Sequence, residues 1–177
     1  MEPVDTLSFL LGSWSIERRI DDRRSGVQGS FMGTATLIDT SSERDRGRLS
    51  RARYEEVGEL CFGSYKGLAR RMLDYVRNDG GSVSLHFSDG RPFVDVDLRT
   101  GVWQGIHHCR EDRYEMMMFA RSPGVVEEQW QVRGPDKDYD AYATLTRSAP
   151  AVGRATMHRR RSLDADWSEQ SGRYPSP

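Results

Sequence analysis

The sequence has few cysteines, few lysines and no long apolar run. Its two cysteines, Cys61 and Cys109, show no CxxC spacing, which indicates reduced thiols rather than a disulfide framework. No segment approaches the roughly 18 apolar residues that a membrane span needs. The acidic start, "MEPVDTLSFLLGSW", lacks the basic and then apolar order of a signal peptide. These absences predict a cytoplasmic protein with no membrane partner.

The chain has no large excess of positive or negative charge, and it lacks the common catalytic and cofactor motifs. The formal net charge of the 177 residues is -1, which argues against a dedicated nucleic-acid surface. There is no GxSxG, HExxH, P-loop or GxGxxG segment. The sequence therefore predicts no nucleic-acid partner, no metal and no cofactor. A homodimer is one alternative that the sequence leaves open.

Short strands with turn residues between them dominate the chain. Residues 5 to 11 predict one helix, capped by Asp5 or Thr6 and ended by Gly12. Beyond it, apolar and polar residues alternate with a period of two, and "NDGG" and "DGR" mark tight turns. About nine or ten strands follow the helix. The prediction is all-β, an antiparallel up-and-down barrel or a sandwich, and a barrel is favoured because it removes the exposed edges of a long meander.

The pattern of strands stops near Ser148. Residues 149–177 are rich in Arg, Ser, Pro and Gly, a composition typical of a disordered tail. We therefore predict one β-barrel domain over residues 1–148 and a disordered tail over 149–177.

Four ionisable residues alternate in phase with large apolar ones. Arg18, Glu56, Arg71 and Arg147 share the predicted inward faces of their strands. A charge inside a barrel must be paired, because an unpaired buried charge is costly. Glu56 is the natural partner of these arginines. The result is either a structural ion pair or the polar floor of a pocket whose arginines bind a carboxylate or phenolate.

Two adjacent histidines, His107 and His108, lie on one predicted strand. Adjacent side chains of a strand point to opposite faces, so the pair cannot readily ligate one ion, and one of the two faces the interior. That histidine is either a structural one or an acid and base, since an imidazole titrates near neutral pH. We assign the acid and base role to His108.

Aromatic and methionine side chains predict the walls of a cavity for one small ligand. Methionines fill irregular gaps, so these residues are alternatively plain core. Lys137, one of two lysines, falls in the hairpin turn "GPDKD" and is either a solvated turn residue or a rim charge that pairs with Asp112 or attracts an anion. The predicted wall residues are Trp14, Tyr54, Tyr75, Trp103, Tyr114, Met116, Met118 and Trp130.

Several motifs in order resemble family 6314 of the domains of unknown function, a calycin-like β-barrel. More distantly, "FLLGSW" before the first strand is similar to lipocalin, fatty-acid-binding and nitrobindin barrels. The resemblance covers about residues 7 to 148 and implies a calycin-like barrel with a pocket, but no reaction. Its motifs are Trp14-x-Ile16-x-Arg18-x-Ile20, Tyr54-x-Glu56-x-Gly58, Arg71, "FSDGRPF" at 87–93, "HCREDRY" at 108–114, "WQVRGPDKDY" at 130–139 and Arg147.

These observations favour a small-molecule-binding barrel that is a cofactor-independent cyclase, isomerase or lyase of specialised metabolism. Glu56 or His108 would move a proton, and Arg71, with Arg18 or Arg147, would stabilise a developing enolate or carboxylate. The alternatives are a carrier or sensor with the same pocket and no chemistry, and a nitrobindin-like haem protein. A packed barrel that binds a protein partner is a further alternative.

Overall fold

The computed structural model describes residues 5–42 and 50–148 and the backbone of residues 165–166. The predicted all-β fold is confirmed: a short helix precedes ten antiparallel strands, and a two-residue strand follows them. The elements are α1 (Thr6–Leu10), β1 (Gly12–Asp22), β2 (Gln28–Asp39), β3 (Arg51–Phe62), β4 (Tyr65–Arg77), β5 (Val83–Phe87), β6 (Pro92–Val96), β7 (Val102–Cys109), β8 (Asp112–Ser122), β9 (Val125–Arg133), β10 (Asp138–Arg147) and β11 (Ala165–Asp166).

The ten antiparallel strands form a nearly closed barrel. Their order is β6-β5-β4-β3-β2-β1-β10-β9-β8-β7, in which β1 pairs with β10 and joins the first and the last of the ten strands. Among the described strand pairings, none joins β6 to β7, and this gap is called the seam below. The sequence did not predict the seam, since pairing across it depends on how far the sheet curls.

Alternation along the strands sorts side chains between the interior and the outside. In β1, Trp14, Ile16 and Ile20 are buried, whereas Ser15 and Glu17 between them are exposed. This follows from the period of two in a strand, which sends successive side chains to opposite faces of the sheet. The burial of one face therefore fixes the register of every ladder.

The helix α1 closes one end of the barrel, called the closed end below. Asp5 caps it as predicted, since the Ser8 N–H donates to Asp5 Oδ1 at 2.9 Å. Leu7 and Leu10 are buried against the core. Thr6 is buried too, and its hydroxyl accepts a hydrogen bond from the Leu98 N–H at 3.0 Å. The helix is five residues long, and no described helix is long and apolar enough to cross a membrane.

Trp14 and Arg147 belong to this closed end, so their prediction as pocket residues is wrong in position. The Trp14 indole N–H donates to the Leu10 carbonyl at 2.9 Å. The guanidinium of Arg147 stacks 4.1 Å from the Trp14 ring centroid and donates to the carbonyls of Phe9 and Leu11 at 2.6 Å each. The side chain of Arg147 is exposed because the last residue of β10 lies beyond the rim, where alternation no longer selects the interior.

Arg147 is expected to hold the helix on the barrel. We predict that Arg147→Ala lowers the free energy of unfolding by about 2 kcal/mol, because it removes charge-assisted hydrogen bonds and a cation–π contact. Urea denaturation of the full chain measures this loss. Arg121→Ala is the matched control: Arg121 also stacks on a ring, that of Phe119 at 4.4 Å, but its hydrogen-bonded partner is the side chain of Glu127. Equal losses in the two variants would contradict the prediction.

The predicted tail lies almost wholly outside the described residues. Only the backbone of Ala165 and Asp166 is described, and it pairs in parallel with Ala69 and Arg70 of β4. That part of β4 extends past its partner β5, whose pairing begins at Leu73. The disorder predicted for 149–177 stays a prediction for the rest of the segment.

Candidate functional site

The interior of the barrel holds a compact ion network centred on Glu56. This carboxylate is 2% exposed. Arg18 binds it through two nitrogens, at 2.6 Å to Oε1 and 3.1 Å to Oε2. Arg71 Nη2 and the Tyr54 hydroxyl donate to Oε2 at 2.9 Å and 2.8 Å. The expected pairing of Glu56 with two of the in-phase arginines is confirmed, because adjacent strands β3 and β4 place Glu56 directly opposite Arg71.

The network fixes Glu56 in its ionised form. Burial alone would raise the pKa of Glu56, but the charges of Arg18 and Arg71 and the hydrogen bonds to the carboxylate lower that pKa far below its ordinary value of 4.5. Burial raises the pKa of Tyr54 and of Tyr75, so both hydroxyls stay protonated. Glu56 is therefore suited to fixing the two arginines in place, rather than to exchanging a proton near neutral pH.

Arg71 keeps one donor, Nε, without a partner among the described residues. Its Cζ lies 5.5 Å from the ring centroids of both Tyr54 and Trp130. Its Nε is buried without a hydrogen-bond partner. Buried unpaired donors are rare in native proteins and call for a specific explanation, such as a bound molecule or water. Arg71 and Arg18 also leave 16% and 13% of their side-chain surface accessible, although both face inward.

An aromatic layer covers the network toward the end of the barrel opposite α1, called the open end below. Phe93 stacks on Trp130 with ring centroids 5.9 Å apart, and its ring lies 5.0 Å from that of Phe87. The Trp103 ring lies flat over Gly105, where an added Cβ would come within 2.3 Å of it.

The inward side chains of this layer are only partly buried, unlike those of the closed end. Inward residues next to the closed end, such as Leu37, Leu98 and Val83, have exposures of 3% or less. A patch of inward residues on β5 to β9 is of intermediate exposure, whereas other inward residues toward the open end, such as Val132, Leu60 and Ile20, are buried. The region that this patch surrounds is called the lumen below, and the patch consists of Phe87, Phe93, Trp103, His107, Tyr114, Met118 and Trp130.

Lys137 lies at the open end and is buried, so its interpretation as a solvated turn residue is wrong. It is 6% exposed. Its Nζ donates to the Tyr114 hydroxyl and pairs with Asp112 Oδ2, both at 2.8 Å. Burial alone would lower the pKa of Lys137, but the hydrogen bonds to Asp112 and Tyr114 raise it, so the lysine stays charged. The Gly134–Lys137 turn closes as predicted, with the Gly134 N–H donating to the Lys137 carbonyl at 2.7 Å.

His107, and not His108, is the interior histidine, so the placement of His108 inside the barrel is wrong. His108 shares the exposed outer face of β7 with Val102 and Ile106. The ring of His107 lies 4.9 Å from that of Phe93 and 6.1 Å from that of Tyr114. Burial lowers the pKa of His107 below 6.5, although a hydrogen bond with the Phe93 backbone acts to raise it. Since Phe93 is on β6 and His107 on β7, this contact bridges the seam.

The structure brings most of the remaining predicted residues to the same interior. Tyr75 stacks on Tyr54 with centroids 5.8 Å apart. Met116 is buried at 2% and opposite Trp130, so it is core, whereas Met118 is partly buried and opposite Glu128. Whether any of these residues contacts a ligand stays a prediction.

Sequence reasoning missed Glu128, Phe87 and Phe93. Glu128 is 8% exposed and lies 3.8 Å from Arg18 Nη2. Its signal was present: Val126, Glu128, Trp130 and Val132 alternate along β9 just as Glu56 does with its apolar neighbours. The signal was missed because Glu128 follows Glu127, and two consecutive glutamates are typical of an exposed strand.

Comparisons with known proteins give one family and several distant structures. A model described as a family of unknown function (DUF6314) matches residues 10–147. The chain is similar to a de novo designed fluorescence-activating β-barrel, with 16% identity, a TM-score of 0.43, and coverage of 82% of this chain and 99% of that one. It is also similar to the S-type phycobiliprotein lyase CPES from Guillardia theta, with 8% identity, a TM-score of 0.45, and coverage of 81% and 90%. Curated proteins give no match. Likenesses at this level support no inference about function.

Proposed function

Since the chain belongs to DUF6314, a family of unknown function, we propose its function from the barrel interior itself. The barrel binds one small, mostly apolar organic molecule in the lumen and rearranges it without a cofactor, as a cyclase, isomerase or lyase in the cytoplasm. The observation that carries this proposal is the contrast in burial. Inward aromatic residues on β5 to β9 stay accessible, and one of them, Trp130, lies against the buried, fixed cation of Arg71.

The lumen suits a reaction that depends on conformation and charge stabilisation. Flat rings such as Trp103 and Trp130 would hold a flexible molecule in a reactive shape, and such positioning can supply a large part of a rate enhancement. Beneath them, Arg71 offers donors in a region that excludes bulk water, where a developing negative charge is stabilised most strongly. Glu56 holds Arg71 in place through Oε2 at 2.9 Å. The donors are thus oriented before any substrate arrives.

Native mass spectrometry with a visible absorbance scan of the purified full chain tests for an occupant. We expect an added mass of one small organic molecule and no band in the visible range. A Soret band would instead identify a haem protein and would contradict the proposal.

A second experiment tests the lumen directly with Nile red, a neutral apolar dye that fluoresces when it leaves water. We expect the wild-type chain to bind it and Met118→Trp to weaken binding at least about tenfold, because the larger side chain fills the space. Met117→Trp is the matched control, since Met117 is adjacent and on the opposite face of β8. Equal dye binding by all three proteins would argue against a ligand in the lumen.

A carrier or sensor without chemistry is the second candidate. The observation that favours it is that Glu56 accepts four hydrogen bonds of 3.1 Å or less. These bonds fix the carboxylate in place and leave it poorly suited to taking a proton from a ligand. Incubation of the protein with its recovered ligand separates the two functions. A ligand recovered unchanged supports the carrier, and a product of equal mass or an eliminated fragment supports the enzyme.

A further inference from the structure

Among the buried carboxylates of the described residues, Glu128 has the longest contacts with its neighbours. Its contacts are long: Trp130 Nε1 lies 3.4 Å and Arg18 Nη2 3.8 Å from Oε2. Glu56, which Arg18 also contacts, accepts four hydrogen bonds of 3.1 Å or less from three residues, Arg18, Arg71 and Tyr54. A buried carboxylate without short hydrogen bonds is costly for the fold. That cost indicates a role beyond packing, because a carboxylate with only long contacts keeps its oxygens available to a bound molecule.

Glu128 lies at the edge of the Trp130 ring, and Arg71 lies over the face of the same ring. The Trp130 indole N–H points to Glu128, and the same ring lies 5.5 Å from Arg71 Cζ. Glu128 is also within electrostatic reach of Arg71 and of Tyr75. A carboxylate at the edge of Trp130 and a cation over its face, with its Nε unpartnered, therefore both border this ring.

The charges of the network indicate which form of substrate this site takes. Within the described interior, two arginines, Arg18 and Arg71, face two carboxylates, Glu56 and Glu128. A ligand that arrives as an anion would add a third negative charge to this balanced set. A neutral ligand that gives its proton to Glu128 would not, since Glu128 becomes neutral as the ligand becomes negative. The balance favours a neutral, acidic substrate.

We propose that the substrate is a carbonyl compound with an acidic C–H bond beside the carbonyl, and that Glu128 removes this proton while Arg71 binds the carbonyl oxygen. This proposal rests on the lumen of the proposed function. The C–H bond breaks, its proton goes to a Glu128 carboxylate oxygen, and its electron pair moves onto the carbonyl oxygen to give an enolate. Return of the proton at another carbon gives an isomer, attack by the enolate carbon closes a ring, and loss of a leaving group gives an elimination. Each outcome is redox-neutral.

The test uses 4-nitrophenol, whose ionised oxygen imitates an enolate and whose ionised form absorbs visible light. We expect Glu128→Gln to bind the phenolate about tenfold or more tightly than the wild type, because the neutral amide removes a competing negative charge. We expect Arg71→Met to bind it about tenfold more weakly, since the phenolate loses its cation. A tighter-binding variant is an effect that a merely structural carboxylate would not give.

The adjacent outward residues supply matched controls. Glu127→Gln removes a carboxylate that pairs with Arg121 at 2.7 Å on the outer face, and Arg70→Met removes an arginine that pairs with Glu55 at 2.5 Å there. Both are expected to leave phenolate affinity within about twofold of the wild type, because surface pairs are screened by solvent.

A measurement on the wild type alone guards against variants that do not fold. Added as the neutral phenol at a pH below its solution pKa, 4-nitrophenol is expected to turn yellow on binding with no net release of protons, because Glu128 takes its proton. Binding of the phenol without colour, proton release to solvent, or unchanged or weaker phenolate binding by a folded Glu128→Gln variant would overturn this inference. Nile red binding separates a failure of this inference from a failure of the proposed function. If the dye binds and one of these results is found, only the role of Glu128 is wrong. If the dye does not bind, the proposed function itself has failed.

Discussion

Glu56→Gln is expected to lower the free energy of unfolding by about 3 to 5 kcal/mol, the usual cost of removing one partner from a buried ion network. The reason lies in what remains. Arg18 and Arg71 would stay inside the barrel with their shared carboxylate replaced by a neutral amide. The Tyr54 hydroxyl would keep an oxygen acceptor only if the amide is oriented toward it. Urea denaturation monitored by tryptophan fluorescence measures the loss.

Glu55→Gln is the control for this prediction. Glu55 is the adjacent residue of β3, points outward and pairs with Arg70 at 2.5 Å with both side chains 38% exposed. We expect it to cost less than about 1 kcal/mol. A loss in Glu56→Gln as small as in Glu55→Gln would mean that Glu56 and its arginines contribute little net stability, as some buried ion pairs do.

The same residue sets part of the response to acid. The folded pKa of Glu56 is lowered from 4.5, since its arginines outweigh the effect of burial. A group with a lowered folded pKa stabilises the fold above its unfolded pKa, and this contribution is lost as the pH falls below that value. The stability difference between the wild type and Glu56→Gln is therefore expected to be constant from pH 7 to about 5 and to shrink at lower pH. A difference that grows on acidification would contradict this assignment.

Lys137→Met is expected to lower the free energy of unfolding by about 3 kcal/mol, the lower end of the range for a broken buried pair. The change leaves Asp112, whose side chain is 16% exposed, without its cation, and it removes the donor to the Tyr114 hydroxyl. Methionine keeps the length of the aliphatic stem, so lost packing contributes little. Thermal and urea unfolding of the full chain measure the effect.

The other lysine gives the control. Lys66 pairs with Glu59 at 3.1 Å, but the two side chains are 67% and 55% exposed, and Lys66→Met is expected to leave stability unchanged. A double variant Lys137→Met, Asp112→Asn should recover part of the loss, because it also removes the stranded carboxylate. No loss in Lys137→Met, or no recovery in the double variant, would show that the pair does not stabilise the open end.

The helix and the strands could be predicted because their signals are local. Asp5 caps α1 through a neighbour three residues away, and the period-two alternation of β7 spans exactly the run "VWQGIHHC" that forms it. In-phase charge predicted the Glu56 network for the same reason. A charge in the middle of an alternating strand lies inside and must find a partner there, whereas Arg147, at the end of β10, is exposed.

The sequence by itself determined the all-β class, the turns, the inward phase of Arg18, Glu56 and Arg71, and the family. Only the tertiary structure decided which histidine faces the lumen, because two adjacent histidines fit either phase until the sheet curls. The tertiary structure also placed Arg147 and Trp14 against α1, and it placed Glu128 inside the barrel next to Trp130 and Arg18. These outcomes depend on where each strand ends at the barrel rim and on which residues face each other across the barrel. Both are set by contacts between strands that are far apart in the sequence, so no local sequence pattern predicts them.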